Sequence, residues 1–279
     1  MTEAHDNVTK VAKDYYDSGD ADNFYFQIWG GEDIHVGLYQ SDEEPIADAS
    51  RRTVEVMADK VGLGPETRML DIGAGYGGAA RHLTKRHDLK DVVALNLSVT
   101  QNERDRQMNG AAGLGDRIRV VDAAFEDIPE GDGQFDVVWC QDSILHSGNK
   151  PKVFQEVFRV LKPGGRFIFT DPMQADDCPE GVLGPVLARI HLEEMGSFAK
   201  YRRIAQELGL REVEVEDHSH QLPRHYGRVK QELEKNYDVL RKTCSETYLE
   251  NMKKGLQHWV DAGNAGHLAW GILHFQKPA

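Results

Sequence analysis

The sequence predicts an α/β fold, a doubly wound sheet carrying an inserted helical cap. Short β-branched runs alternate with helical patterns through the middle of the 279-residue chain, which is the order of βαβ units around a parallel sheet. A glycine-rich turn follows the first of these runs, and a long polar helical stretch separates the last two.

Strands are expected at Arg68–Ile72, Val92–Leu97, Ile118–Val121, Val137–Cys140 and Arg166–Thr170, with helices near Gly78–Arg86, Val99–Ala112 and Lys152–Leu161. The last helix should stop at Lys162-Pro163-Gly164-Gly165, because proline and paired glycine cannot continue it. Two more strands are expected at Glu212–Glu216 and Leu268–Gln276, so that residues 173–265 form a lid or substrate lobe. Ahead of the sheet, Phe24-Tyr25-Phe26-Gln27-Ile28-Trp29 and Ile34-His35-Val36-Gly37-Leu38-Tyr39 make residues 1–55 too apolar for a mere tail.

Composition excludes several classes. With 40% hydrophobic and 28% charged residues the chain has material for a core and no disorder signature. Acidic residues outnumber basic ones 46 to 33, for a net charge of −13, a field that repels phosphate backbones and anionic membranes. Neither nucleic acid nor a membrane is expected as a partner, and an acidic surface suits concentrated salt. No run approaches a membrane span, and the opening residues lack the pattern of a signal peptide, so a cytoplasmic location is expected. Cys140, Cys178 and Cys244 are far apart and have no CxxC spacing, so no disulfide framework or zinc site is expected. Asp171, Asp176 and Asp177 form no ligand cluster at metal spacing, and no metal is expected.

The turn Asp71-Ile72-Gly73-Ala74-Gly75-Tyr76-Gly77-Gly78 has the GxGxxG pattern of Gly73, Gly75 and Gly78. Missing β-carbons there let a ligand approach the backbone and a helix N-terminus. Dinucleotide enzymes share this spacing, so a nicotinamide oxidoreductase is one alternative. A pyrophosphate does not welcome Asp71 before the first glycine, whereas a cationic sulfonium cofactor does. A nicotinamide enzyme also wants an acid at the end of the second strand, where Asn96 stands.

Two later features discriminate: Gln134-Phe135-Asp136-Val137-Val138-Trp139 and Val160-Leu161-Lys162-Pro163-Gly164-Gly165. With the glycine turn, they make the chain resemble the class I S-adenosylmethionine-dependent methyltransferases over roughly residues 60–172. That resemblance implies a Rossmann-like, mostly parallel sheet with an antiparallel last strand, and S-adenosylmethionine as cofactor. It implies Gly73, Ala74 and Gly75 at the methionine moiety, where the Asp71 carboxylate can order the turn and water, and Asn96 and Leu97 at the ribose and adenine, with Gln101 one helical turn on as a helper. Ala124 and Phe125 would flank the adenine, and Gln141 would lie near the methionine.

Trp29–Tyr39, Gln141-Asp142-Ser143-Ile144-Leu145-His146-Ser147, Asp171-Pro172-Met173-Gln174-Ala175-Asp176-Asp177 and His220–Tyr226 carry a narrower resemblance. Over nearly the whole chain it is similar to sarcosine/dimethylglycine N-methyltransferases. This implies methyl transfer to sarcosine and N,N-dimethylglycine, ending at glycine betaine. The phosphoethanolamine methyltransferases, more distant, share the Asp-x-Ile-Leu-His arrangement. The division expected is a lid segment in 1–55, an S-adenosylmethionine-binding core in 56–172, and a substrate cap with the last strands in 173–279.

Such an enzyme supplies orientation and a neutral amine. His146, expected to titrate near neutrality just beyond the fourth strand, is the candidate proton acceptor. Tyr16, with Tyr15 as its competitor, is the candidate partner of His146. Tyr25, Trp29 and Tyr39 are candidate aromatic faces for an ammonium. Arg189, His191 and Arg224, with His225, are candidates for the substrate carboxylate, and sequence does not choose among them. The expected partner is a small zwitterionic amine; the sequence does not reveal an oligomeric state.

Overall fold

The computed structural model of the chain describes residues 19–29, 31–190 and 192–279. Seven strands are present among them: β1 (Arg68–Ile72), β2 (Asp91–Asn96), β3 (Ile118–Asp122), β4 (Phe135–Gln141), β5 (Leu161–Gln174), β6 (Arg211–Asp217) and β7 (Leu268–Gln276). They form one sheet in the order β3-β2-β1-β4-β5-β7-β6. All run parallel except β7, which is inserted antiparallel between β5 and β6. This is the expected fold class, including the antiparallel last strand.

β1 and β7 have the expected bounds, and the others differ by a few residues. The largest difference is β5, which begins at Leu161 instead of Arg166. Lys162-Pro163-Gly164-Gly165 does end the helix before it, but its backbone is tied into the sheet: Leu161 pairs with Phe135, and Gly164 N–H donates to Lys277 O at 3.0 Å.

The helices are α1 (Gly19–Ile28), α2 (Ile46–Val61), α3 (Gly78–His87), α4 (Val99–Ala111), α5 (Lys150–Val160), α6 (Gly184–Arg189), α7 (Phe198–Glu207), α8 (Gln221–Lys235), α9 (Tyr237–Leu240) and α10 (Glu246–Asn264). Their starts follow local chemistry. Ser98 Oγ accepts from Gln101 N–H at 3.2 Å, and Asn149 Oδ1 accepts from Lys152 N–H at 3.2 Å, which satisfies first-turn donors of α4 and α5. α2 buries Ile46, Ala49, Thr53, Val54, Met57 and Val61, the one-sided stripe of a helix packed on a core. On the other face of the sheet, Phe154 of α5 meets Phe167 and Phe169 edge-on at centroid distances of 5.3 and 5.7 Å.

β1, β2 and β3 build outward in one direction, and β4 returns to the other side of β1. The C-terminal ends of β1 and β4 therefore flank a topological switch point, where open α/β sheets leave a crevice. The chain from Asp217 to Leu268 leaves and re-enters the sheet at this same edge, and α8 and α10 pack together above it.

Candidate active site

A cleft opens at the switch point, where open α/β sheets bind their ligands. Among its lining residues are Asp71, Gly73, Ala74 and Gly75 from β1 and its turn, Asn96, Leu97 and Gln101 from β2 and α4, Phe125, and Gln141 and His146 beyond β4. The fold thus brings together the residues singled out for the cofactor, apart from Ala124, which precedes Phe125 outside the lining.

The turn is held by Gly73 N–H and Ala74 N–H, which donate to Leu95 O at 2.7 and 3.1 Å. Gly73 has φ +74°, and a β-carbon there would overlap Ser143 Cβ and Oγ, so both conformation and space demand glycine. Gly78 serves another purpose: a β-carbon on it would run into Asp33 and the Glu32 carbonyl. Its bareness admits the segment 31–39, a strap that supplies Glu32, Asp33, Ile34 and His35 to the cleft wall.

Asn96 Nδ2 donates to Gln101 Oε1 at 3.0 Å. This pairing aligns the two amides at the end of β2, and Gln101 Nε2 is buried with no hydrogen-bond partner among the described residues. Asp122 spends its oxygens on α4, accepting from Asn102 Nδ2 at 2.6 Å and Arg106 Nη2 at 2.5 Å. It is a strand-end anchor.

The strap is fastened by charge. Asp142 Oδ2 accepts from Val36 N–H at 2.6 Å and its Oδ1 from Trp270 Nε1 at 2.8 Å. Asp142 takes φ +51°, unusual for a residue with a side chain, and burial raises its carboxyl above the ordinary range. Asp33 pairs with Arg51 at 2.6 Å. Beneath the glycine turn, buried Arg81 joins Asp105 Oδ1 at 2.5 Å, Glu32 Oε2 at 2.9 Å and the Tyr76 carbonyl. Sequence reasoning missed Asp142, Asp33 and His35 as cleft residues. The Asp-x-Ile-Leu-His arrangement was the available signal for Asp142, but its inward turn depends on a backbone conformation that composition does not announce.

His146 closes a short 3-10 turn, Ile144–His146, which is braced from two directions. Asp171 Oδ1 accepts from Leu145 N–H at 2.9 Å while its Oδ2 accepts from the Tyr201 hydroxyl at 2.5 Å. Buried Lys150 donates to Leu145 O at 3.3 Å and Ser147 O at 3.0 Å. The expectation that His146 titrates near neutrality is corrected by this setting. Burial, then the cations Lys150 and Arg189, push the imidazole down to about 4, so it is neutral throughout the physiological range.

The substrate candidates separate. Tyr25 and Trp29 pack at a centroid distance of 5.0 Å, and Trp29 lies 5.3 Å from His225. The Tyr39 hydroxyl is within hydrogen-bond distance of His225 Nδ1 at 2.9 Å. All are buried beneath the cap and none lines the cleft directly. Arg189, at the end of α6, stands 5.7 Å from the Tyr226 ring and 6.0 Å from Trp259. Arg224 is not brought to the site: it pairs with exposed Asp42 at 3.0 Å on the surface, because its helix turns His225 and Leu222 inward instead. Tyr16 and His191 lie outside the described residues.

Glu32, Asp33, Asp71, Glu126 and Asp142 line the cleft with carboxyl groups, the acceptors wanted by a sulfonium cofactor that carries an ammonium. Gln101 Nε2, Gln141 Nε2 and His35 Nε2 are buried there without hydrogen-bond partners among the described residues. With the glycine cradle, these features fit S-adenosylmethionine. Burial, with Asp105 and Asp33 nearby, raises Asp71 from 3.8 to about 8. A folded-state pKa above the unfolded one gives stability that is lost as pH rises. In cofactor-free protein the Asp71 contribution should therefore decline through pH 6.5–8, a window above the unfolded pKa of histidine, roughly 6.5. Thermal melts across that range should fall more steeply for wild type than for Asp71→Asn; parallel curves would refute this.

Sheet order, glycine cradle and acidic cleft define a class I S-adenosylmethionine-dependent methyltransferase. Residues 70–169 match the family described as "Methyltransferase domain". The chain is 58% identical over 279 residues to a sarcosine/dimethylglycine N-methyltransferase of Aphanothece halophytica, covering 100% of each. It is 58% identical over 277 residues to the enzyme of the same name from Halorhodospira halochloris, covering 99% of each. A solved structure from Galdieria sulphuraria, assigned as a sarcosine dimethylglycine methyltransferase, superposes with a TM-score of 0.90 at 44% identity, covering 95% of this chain and 99% of that one. The chain belongs to the sarcosine/dimethylglycine N-methyltransferase family. The nicotinamide alternative is thereby set aside. Among the described residues no helix is long and apolar enough to cross a membrane, and no cluster of side chains could hold a metal.

Proposed function

We propose that the chain methylates the nitrogen of sarcosine and of N,N-dimethylglycine, with glycine betaine as the end product, in the cytoplasm. The observation that carries this reading is an inward-turned arginine, Arg189, near enough to the cleft to act on His146 of its wall, with the Asp142 carboxyl lining the same cleft. Tyr226, buried under the cap, feels both the Arg189 guanidinium and the Asp142 carboxylate, and Arg189 also acts on His146. In this reading a zwitterionic amino acid turns its ammonium toward Asp142 and its carboxylate toward Arg189. Trp29 and Trp259 bury indole N–H groups with no hydrogen-bond partner among the described residues, which favours an acceptor in that region.

S-adenosylmethionine supplies a methyl group already activated on a sulfonium. The protein's task is to hold a neutral amine in line. Dimethylglycine becomes a quaternary nitrogen with no proton left to lose, so its ammonium proton must leave first. The His146 imidazole, neutral and braced by Asp171 and Lys150, offers a nitrogen that takes this proton on its way to solvent. At about 4 it is too weak a base to keep the proton, so it only relays the proton to solvent before the methyl transfer. Asp142 holds the ammonium side, and its bond to Val36 N–H ties that contact to the strap. We read residues 1–55 as the lid, 56–172 as the cofactor core and 173–279 as the acceptor side, with Tyr16 and His191 as further candidates.

The reading is tested by incubating the purified protein with S-adenosylmethionine and glycine, sarcosine or dimethylglycine, and following methylated product by mass spectrometry. Transfer to sarcosine and dimethylglycine is expected. No transfer to either would overturn the acceptor assignment and leave the cofactor assignment standing.

A further inference from the structure

Gly255 stands in the interior of the 19-residue helix α10, where glycine is the poorest choice short of proline. The buried face of this helix runs Met252, Gly255, Leu256, Trp259, so Gly255 is a gap in an otherwise apolar stripe. Arg189 fills the gap. A β-carbon on Gly255 would fall on Arg189 Cδ and stand 3.0 Å from its Cγ and Nε. On either side along the stripe, Met252 Sδ lies 3.2 Å from Arg189 Nη2 and the Trp259 ring 6.0 Å from its Cζ. Tyr226 of α8 completes the seat at 5.7 Å.

The arginine stem is therefore laid along the backbone of one helix, with its head held by two aromatic faces and a thioether. A planar fork recognises a carboxylate only from a fixed orientation, and a long side chain gains that orientation when its stem is confined. We propose that Gly255 is a positioning residue for the acceptor: its missing β-carbon is the slot that fixes Arg189 for the carboxylate of the amino-acid substrate. The inference rests on the reading that Arg189 takes this carboxylate, and it adds the reason for a helix-interior glycine.

Substitution by alanine, read through substrate binding and not stability, separates this role from a structural one, since the Arg189 stem must shift in either case. A seating role predicts that Gly255→Ala raises KM for dimethylglycine by about 10- to 100-fold, the scale of a small misplacement. The Kd for S-adenosylhomocysteine should stay unchanged. A cycle with Arg189→Ala completes the test. Calorimetric binding of dimethylglycine to protein saturated with S-adenosylhomocysteine should weaken on Gly255→Ala only while Arg189 is present.

If Arg189→Ala leaves dimethylglycine affinity intact, the carboxylate reading fails. If Arg189→Ala weakens it and Gly255→Ala does not, or weakens it equally without the arginine, the Gly255 inference fails alone. Should Gly255→Ala not fold, the inference survives only if the double variant folds, since removing the arginine stem makes room for the β-carbon. Failure of both to fold would mean that something else excludes that carbon, and would overturn it.

Discussion

His146→Ala is expected to lower kcat for dimethylglycine by about 10²–10⁴-fold, the range for losing a positioned proton acceptor, while the Kd for S-adenosylhomocysteine stays within about twofold. The reason is the turn that carries it. Asp171 and Lys150 grip the backbone on both sides of the histidine, at the cost of burying a carboxyl that is pushed up and an ammonium that is pushed down. Such bracing matters if the ring it aims must meet a reacting nitrogen. The pH profile carries the same argument with a definite sign. An imidazole held at about 4 does not titrate between pH 6 and 9. Across that range kcat/KM should rise with pH as the substrate ammonium releases its proton, with no break near 6.5. A histidine-like break near 6.5 in wild type, or kcat of the alanine variant within about threefold of wild type, would refute the role.

Arg81→Met is expected to destabilise the fold by about 3–5 kcal/mol, the penalty for stranding a buried ionic partner. Arg81 is 3% exposed and Asp105 is fully buried. Asp105 already stands at about 6 because burial outweighs the pull of Arg81, which opposes it. Without the guanidinium, Asp105 has lost its cation, the Tyr76 carbonyl its donor, and the strap its tie through Glu32. Urea unfolding of Arg81→Met measures the loss, and an Arg81→Met/Asp105→Leu double variant should recover most of it, since replacing both partners removes the stranded charge. A loss below about 1 kcal/mol in the single variant would show that the network is ornamental.

These two sites also show what sequence made legible. The glycine turn, the strand alternation and the LKPGG stop are local rules, and each landed within a few residues of its place; Arg68–Ile72 and Leu268–Gln276 needed no adjustment. The residues expected at the cofactor gather in one cleft for the same reason, since they sit at fixed offsets from strand ends. His146 was locatable as a residue, but its basicity was not, because Lys150 and Arg189 reach it from two other elements. The choice between Arg189 and Arg224 was closed to sequence too. Both lie in helices of the expected cap, and only packing against α10 decides which one faces inward. Asp142 was hidden behind a single backbone dihedral.

The reversed direction of β7 has a further effect. Because β6 ends and β7 begins at the same edge of the sheet, everything between Asp217 and Leu268 can lengthen, shorten or be exchanged without threading the chain across the sheet. The helices α8 and α10 are in this sense a cassette clipped to the sheet that carries the glycine turn.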